Sequence, residues 1–512
     1  MQAPIGLAQQ QAAVNREMES VNGRNTAISP STSSPALACD TLPHRACRHP
    51  LADLHANAEL AHCEQTIRGR FEAIEPVLEK LSRLQHEKDF AGQAKTLVRM
   101  ALGHELPDSL LSNTWVNGLD MRALYANCVF GALESSVTQF SENLRAMAEE
   151  TVDARSFFLD CGFHCVDITP CSDGRLKGLS KYILRLPLST LTVRNAYAGA
   201  LFDVEANIRH WESVELSRFR CGDPVGAEAG THYLKVVVYH FSSSDPAHQG
   251  CAAHGSNDRL AAEAGLERLR EFREAIENSF WCGASVDILL IGVDTDTDAI
   301  RVHIPDSQGE LNVFRFVDNV QIYRDSLPLD ADRARMVVYE AVNRASEASG
   351  WGEGDGYPAE GMRRLIVNLL INNLSQIEYV GDLYGGRYPD IGHAERYISV
   401  GDGFHEVELR NVAYYVHLHT VEESSADLDI GIKIFTGLNI SRGLPVPVAI
   451  HYRYDSKVPG SRQRMEAKCR RVKAAILRRY AELAKQNLLI CQMSLQDRPL
   501  GSGLEIIDEE SV

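Results

Sequence analysis

Apolar positions divide the chain into regions of different period. From Leu51 to about Glu150 they recur at helical spacing, as in Ile67, Phe71, Ile74 and Leu78, and again in Phe130, Leu133, Val137 and Phe140. This predicts an all-helical N-terminal domain over residues 35–150. Beyond it the pattern changes. Phe163 to Ile168 reads as a short strand that Thr169-Pro170 breaks, Tyr233 to Tyr239 is a buried-strand run ending in His240, and Val286 to Val293 is a third. A helix from about Asp258 to Trp281 carries Leu266, Leu269, Phe272, Ile276 and Phe280 on one face, fit to cover a sheet. Strands alternating with helices argue for an α/β domain with a largely parallel sheet over residues 151–396.

Residues 397–512 repeat the idea in weaker form. Val446 to Ile450 is an apolar run ending in His451, an echo of the approach to His240. Asp429 to Leu438 (D-I-G-I-K-I-F-T-G-L) parallels Cys171 to Leu179 (C-S-D-G-R-L-K-G-L) without its cysteine, and Arg462 stands eleven residues after His451, where Cys251 follows His240. Residues 1–34 are rich in Gln, Ala, Asn, Ser and Thr without periodicity, which predicts a disordered tail.

Composition narrows the classes. A chain of 512 residues suffices for two or three domains, and its charge of -17 argues against general nucleic-acid binding. The basic run Arg462 to Arg479 reads as the solvated face of a helix. No run approaches the roughly 18 apolar residues of a membrane span, and the amino terminus lacks an export pattern. Twelve cysteines without such a signal are most simply free thiols, with Cys161 and Cys165 packed on one face of a strand.

The chemistry gathers at two strand ends. Cys171-Ser172-Asp173-Gly174-Arg175 sets a potential thiolate ligand, a carboxylate and a guanidinium within five residues. The second strand ends in His240, followed by a loop with His248, Cys251 and His254. Sites in open α/β sheets collect at the carboxyl ends of strands, and this pair of clusters looks like a zinc site. His248-Gln249-Gly250-Cys251 fits an H-x-x-C ligand pair letter for letter, but His240 ends a rigid apolar strand, whereas His248 follows the polar Ser242 to Pro246. His254, Ser256 and Asn257 precede the Asp258 helix as a cap or as donors to an anion. Other motifs are weak. Asp294-Thr295-Asp296-Thr297-Asp298 begins like an EF-hand loop but has Ala299 for the required Gly and Pro305 for the closing Glu. The Gly350 to Gly361 stretch lacks G-K-[ST] and is acidic, and His417 and His419 read as structural.

The C-x-D-x-R run with a histidine and a second cysteine resembles the beta-class carbonic anhydrases. The similarity is greater to their carboxysomal branch, the carboxysome shell carbonic anhydrases. It is carried by T-L-P-H-R-A-C-R-H-P (Thr41 to Pro50), F-F-L-D-C-G-F-H-C-V-D-I-T-P-C-S-D-G-R-L-K-G-L, G-C-A-A-H-G-S-N-D, G-V-D-T-D-T-D-A-I-R-V-H-I-P-D-S, L-L-I-N-N-L-S-Q-I, I-G-H-A-E-R-Y-I-S-V-G-D-G-F and I-H-Y-R-Y-D, in that order along most of the chain. The resemblance implies one Zn2+ per chain on Cys171, His240 and Cys251, with an inserted loop before the second cysteine. Asp173 would orient the attacking water, Arg175 would hold Asp173, and His393 would carry protons. It also implies a beta-carbonic-anhydrase-like catalytic domain, a degenerate, metal-free second copy at 397–512, and homodimerisation. The expected function is interconversion of CO2 and bicarbonate in the carboxysome, beside Rubisco, with the N-terminal tail binding Rubisco or shell proteins. The competing readings are a shell or scaffold protein with a purely structural zinc, and a zinc hydrolase acting on a larger substrate.

Overall fold

The computed structural model describes residues 48–112, 118–148, 154–186, 192–226, 229–280, 286–351, 359–402, 409–418, 425–498 and 503–507. The tail, most of the Thr41 to Pro50 stretch, Trp281, the middle of the Gly350 to Gly361 stretch and His419 lie outside these residues, as does the side chain of Phe140.

The N-terminal helices are α1 (Leu54–Glu72), α2 (Ile74–Leu84), α3 (Phe90–Leu102) and α4 (Met121–Ala148). Asp53 caps α1 by accepting from Ala56 N at 2.9 Å, and Gly103 ends α3 in the left-handed region. Ile67, Phe71, Ile74, Leu78, Phe130, Leu133 and Val137 are all buried, so the helical period marks one core.

The first sheet has the order β2-β1-β3-β4-β5-β6, built from β1 (Phe163–Pro170), β2 (Thr192–Arg194), β3 (His232–Phe241), β4 (Val286–Asp294), β5 (Ile300–His303) and β6 (Phe316–Asp318). The first four strands are parallel and the last two antiparallel. Helices α5 (Val204–Cys221) and α6 (Asp258–Phe280) pack against each other, and α6 lies on β3 and β4. Leu266, Leu269, Phe272 and Ile276 of α6 are buried as expected, whereas Phe280 is 41% exposed at the helix end, against Trp211. Cys161 and Cys165 are core residues.

After α7 (Asn319–Ser326) and α8 (Ala331–Ala348), the long helix α9 (Ala359–Tyr384) passes close to the start of β1. Gly361 makes this approach possible, since a Cβ there would stand 1.9 Å from the Cys161 carbonyl oxygen. No helix among the described residues is long and apolar enough to cross a membrane.

The second sheet, β8-β7-β9-β10-β11, comprises β7 (Tyr397–Gly401), β8 (Ala413–Val416), β9 (Val446–Tyr454), β10 (Leu489–Asp497) and β11 (Glu505–Ile506). Helix α10 (Ser425–Leu438) precedes β9, and α11 (Ser461–Arg479) follows it. Four parallel strands and one antiparallel edge reproduce β2-β1-β3-β4-β5 in the same chain order. This is the second copy.

Register corrects one sequence alignment. Pro170 pairs with Val238 and Gly401 with His451, so laying His451 on His240 places Val400-Gly401-Asp402 over Cys171-Ser172-Asp173. Asp429 to Leu438, read as the counterpart of Cys171 to Leu179, instead lies in α10. Its short apolar run has helical burial, at Leu428, Gly431, Ile432 and Phe435, rather than strand alternation. Val400 thus stands where the first copy has its cysteine, and Asp402 accepts from Arg453 N at 2.7 Å. Arg462 sits in the first turn of α11, paired with Glu505. The basic run is that helix's polar face, with Cys469, Val472 and Ile476 turned inward.

One buried ion pair clamps the strands that lead to Cys171 and His240. Lys235 of β3 meets Asp167 of β1 at 2.8 Å and donates to Asn207 at 2.6 Å, while Tyr233 also donates to Asp167, at 2.6 Å. Both charges are fully buried. Burial pulls the Lys235 ammonium below its ordinary pKa, although Asp167 opposes the shift. Removing one partner strands the other charge. Lys235→Met should lower the unfolding free energy by about 3–5 kcal/mol, and adding Asp167→Leu should recover much of that loss. Denaturant titrations of both variants check it.

Candidate metal centre

Cys171 follows directly on β1. Its amide donates to the Val238 carbonyl at 3.2 Å, and it bridges to Tyr197 beyond the strand. Asp173 then caps a 3-10 turn over Gly174–Leu176, accepting from Arg175 N at 2.9 Å. The turn folds the Arg175 guanidinium back onto the same carboxylate, with Nε to Oδ1 at 2.9 Å and Nη2 to Oδ2 at 2.7 Å. This bidentate pair is almost fully buried. Burial raises the Asp173 carboxyl's proton affinity, but Arg175, His240 and His393 outweigh it and hold its pKa well below the carboxylate range. Arg175 reaches further: Nη1 donates to the carbonyls of Gln249 at 2.6 Å and Ile391 at 2.9 Å, and approaches Thr295 Oγ1 at 3.4 Å.

His240 and Cys251 complete the cluster. Among the described residues, ligand atoms of Cys171, His240 and Cys251 lie within 4.8 Å of one another, and the two sulphurs are 3.9 Å apart. All three residues are buried. Neither His240 nitrogen has a hydrogen-bond partner, and the nearby Asp173 Oδ2 is 3.4 Å from Nε2. A fully buried imidazole with two orphaned nitrogens is costly unless something else binds it. The sulphurs tell the same story. The adjacent Cys251 and burial together push the Cys171 thiol well up, so two thiolates could coexist here only around a cation. Two soft sulphurs and one imidazole suit zinc and leave a fourth position open.

His248 does not join the cluster. Its side chain is 77% exposed and pairs with Asp245 at 2.8 Å in the loop. His393 does approach. Its Nε2 stands 3.9 Å from Asp173 Oδ2, and its Nδ1 pairs with Glu395 Oε1 at 2.9 Å. Since a carboxylate accepts there, Nδ1 carries the proton and Nε2 faces the site. Burial lowers this histidine's pKa, but Asp173 and Glu395 outweigh it and push it up to about 9. Its side chain is 24% exposed, so it spans from the buried pair to solvent. Glu395 is a residue the sequence reading missed. It also accepts from Gly174 N at 3.1 Å, tying the His393 segment to the Cys171 turn. Its place two residues after His393 was the available signal.

The remaining candidates stay structural. Asn257 caps α6 by accepting from Leu260 N at 3.0 Å. Asp294 and Asp296 take hydrogen bonds from Ser242, Ser243 and Ser244, which fix the turn after β4. His417 packs edge-on against Tyr197.

A parallel sheet that brings cysteine, histidine and cysteine together beside a buried Asp–Arg pair is the arrangement anticipated for a beta-type carbonic anhydrase. Comparison with known proteins gives the branch. Three family models match, described as the N-terminal (residues 49–141), catalytic (153–393) and C-terminal (394–511) domains of carboxysome shell carbonic anhydrase. The chain is 55% identical to the carboxysome shell carbonic anhydrase of Halothiobacillus neapolitanus over 470 residues, 91% of each chain. It is 48% identical to that of Prochlorococcus marinus over 474 residues, 90% of each. The figure for Hydrogenovibrio crunogenus is 41% over 455 residues, 88% of this chain and 84% of the relative. The chain belongs to the carboxysome shell carbonic anhydrase family.

The two histidines separate cleanly in a test. His240→Ala should lose bound metal and activity together, whereas His248→Ala should keep most of both. Metal analysis of the purified variants decides, and a metal-free His248→Ala beside a loaded His240→Ala would reverse the assignment.

Proposed function

We propose that this chain is a zinc enzyme that interconverts CO2 and bicarbonate, with one Zn2+ on Cys171, His240 and Cys251. The observation that carries the reading is the buried bidentate Asp173–Arg175 pair beside a donor set of only three. A structural zinc is closed by four ligands; here Arg175 holds the neighbouring carboxylate back from serving as the fourth. Ligands and dyad are each no more than 6% exposed, a confined site that suits a triatomic substrate better than a large ester or peptide. These two features favour the enzyme over both a scaffold and a broader hydrolase.

When bound, zinc supplies a Lewis acid that brings the pKa of water towards about 7. The chain's own residues do the rest. Asp173, kept ionised by Arg175, accepts a hydrogen bond from the attacking water and turns a lone pair towards the carbon of CO2. Hydration yields bicarbonate and one proton, and His393 takes that proton outward through its exposed edge. With a dication held by Cys171, His240 and Cys251, the His393 pKa would fall from its raised value, towards the range where this histidine can both accept and release a proton. In the carboxysome this reaction supplies CO2 to Rubisco. Residues 1–34, outside the described residues, recruit the enzyme through Rubisco or shell proteins, and two chains associate as a homodimer.

CO2 hydration measured together with zinc content tests the reading: a zinc-loaded but inactive protein would support the scaffold. Asp173→Asn should keep its zinc and lose about 10²- to 10⁴-fold in turnover. Arg175→Lys should lose comparable turnover and hold metal less well, because lysine cannot keep the carboxylate and the Gln249 and Ile391 carbonyls at once. Gln249 is two residues from Cys251, so loosening the arginine also loosens the Cys251 loop. His393→Ala should slow turnover chiefly in weak buffer, with recovery on adding imidazole. For recruitment, deletion of residues 1–34 should spare catalysis and abolish packaging, and a truncated enzyme still found in carboxysomes would place the signal elsewhere.

A further inference from the structure

Two thiolates make a zinc ion a weak Lewis acid, and the structure holds a device that counters this. The Gly199 amide donates to Cys171 Sγ at 3.3 Å. Near the other sulphur, the Ala253 and His254 amides favour the ionised form of Cys251, and the His254 amide donates to the Cys251 carbonyl at 3.0 Å. Bonds to sulphur draw charge from it and weaken its donation to a metal.

The Gly199 amide is aimed from outside. Gly199 has φ +65, and a Cβ there would meet His254 Nε2 at 2.6 Å and Ala253 Cβ at 3.0 Å, so the position accepts only glycine without rearrangement. Its carbonyl accepts from His254 Nε2 at 3.2 Å, which ties the Cys251 loop to the Cys171 donor. On the other side this turn packs against α10, where the Ala198 amide favours the ionised form of Asp427, and His417 N donates to the Ala196 carbonyl at 3.4 Å. Asp427 belongs to α10 of the metal-free copy. That copy also grips the Cys171 turn directly: Tyr415 N donates to the Ser172 carbonyl at 3.2 Å, and Asn411 N to that of Gly174 at 2.8 Å.

We propose that Gly199, held by Asp427 and His254, is a positioning residue for the metal centre, through which the metal-free copy sets the ligand strength of Cys171 in the other. The inference rests on Cys171 being a metal ligand. The sulphur-to-metal charge-transfer band of the Co(II)-substituted full-length protein reads the thiolate directly, and zinc competition with a chromophoric chelator reads affinity. Asp427→Ala should move the band to longer wavelength, as the Cys171 sulphur regains charge, and weaken zinc binding by about 10- to 100-fold, because lost orientation of the ligand outweighs its stronger donation. Asp427→Asn, which retains an acceptor for Ala198 N, should restore both. His254→Ala changes a half-buried loop residue and should shift both readouts the same way, so the test survives even if Asp427→Ala fails to fold. Unchanged band and affinity in folded His254→Ala, or no rescue by asparagine, overturns the proposal. A band that persists in Cys171→Ser shows instead that Cys171 is not a ligand, and the metal assignment falls with the inference.

Discussion

The site depends on a single buried guanidinium. Arg175 neutralises Asp173 with a two-pronged bond and spends its remaining donors on the Gln249 and Ile391 carbonyls. It therefore joins the Cys171 turn, the loop leading to Cys251 and the segment before His393. Desolvating such an ion pair costs several kcal/mol per charge, and only near-ideal geometry with further hydrogen bonds from the guanidinium offsets it. A planar five-donor group meets that requirement, and an ammonium does not. The arrangement accounts for a carboxylate that stays ionised and yet is held back from the Cys171, His240 and Cys251 cluster.

The second copy holds the Cys171 turn of the first by backbone hydrogen bonds. Both copies share strand order and both carry a buried histidine on the central strand, His240 and His451, but Val400 stands where the first copy has Cys171. The second copy offers β8 and α10 as supports. Its backbone amides bind the carbonyls of the Cys171 turn, and Asp427 holds the loop that donates to Cys171. A turn of this kind has few apolar contacts of its own, so the geometry that a catalytic centre needs must come from neighbours. A second sheet of the same strand order supplies such neighbours in fixed register.

Much of this was legible in residue order. The helical period of α1 to α4, the buried runs of β1, β3 and β4, and the inward face of α6 follow from spacing, because burial on one face imposes a period on any sequence that folds that way. The cysteine and the dyad were legible because all three groups lie within one turn. His240 was distinguishable from His248 because an apolar strand fixes its last residue while a polar loop does not, and the structure leaves one buried in the cluster and the other in solvent.

Other features had no linear trace. Asp429 to Leu438 looked like the counterpart of the Cys171 stretch because ten residues with alternating isoleucines fit a strand or a helix equally, and only packing against β8 chose the helix. Glu395 is separated from Gly174 by 221 residues, and Asp427 from Ala198 by a similar distance. Spacing could tie Glu395 to His393 but not to Gly174, and it could not name Asp427 at all. The sequence by itself determined the donor chemistry and the elements that carry it, since residue type and period are local properties. Tertiary structure alone decided which carbonyls Arg175 would gather and which copy would aim the Gly199 amide, since those bonds arise only when distant segments close on one buried point.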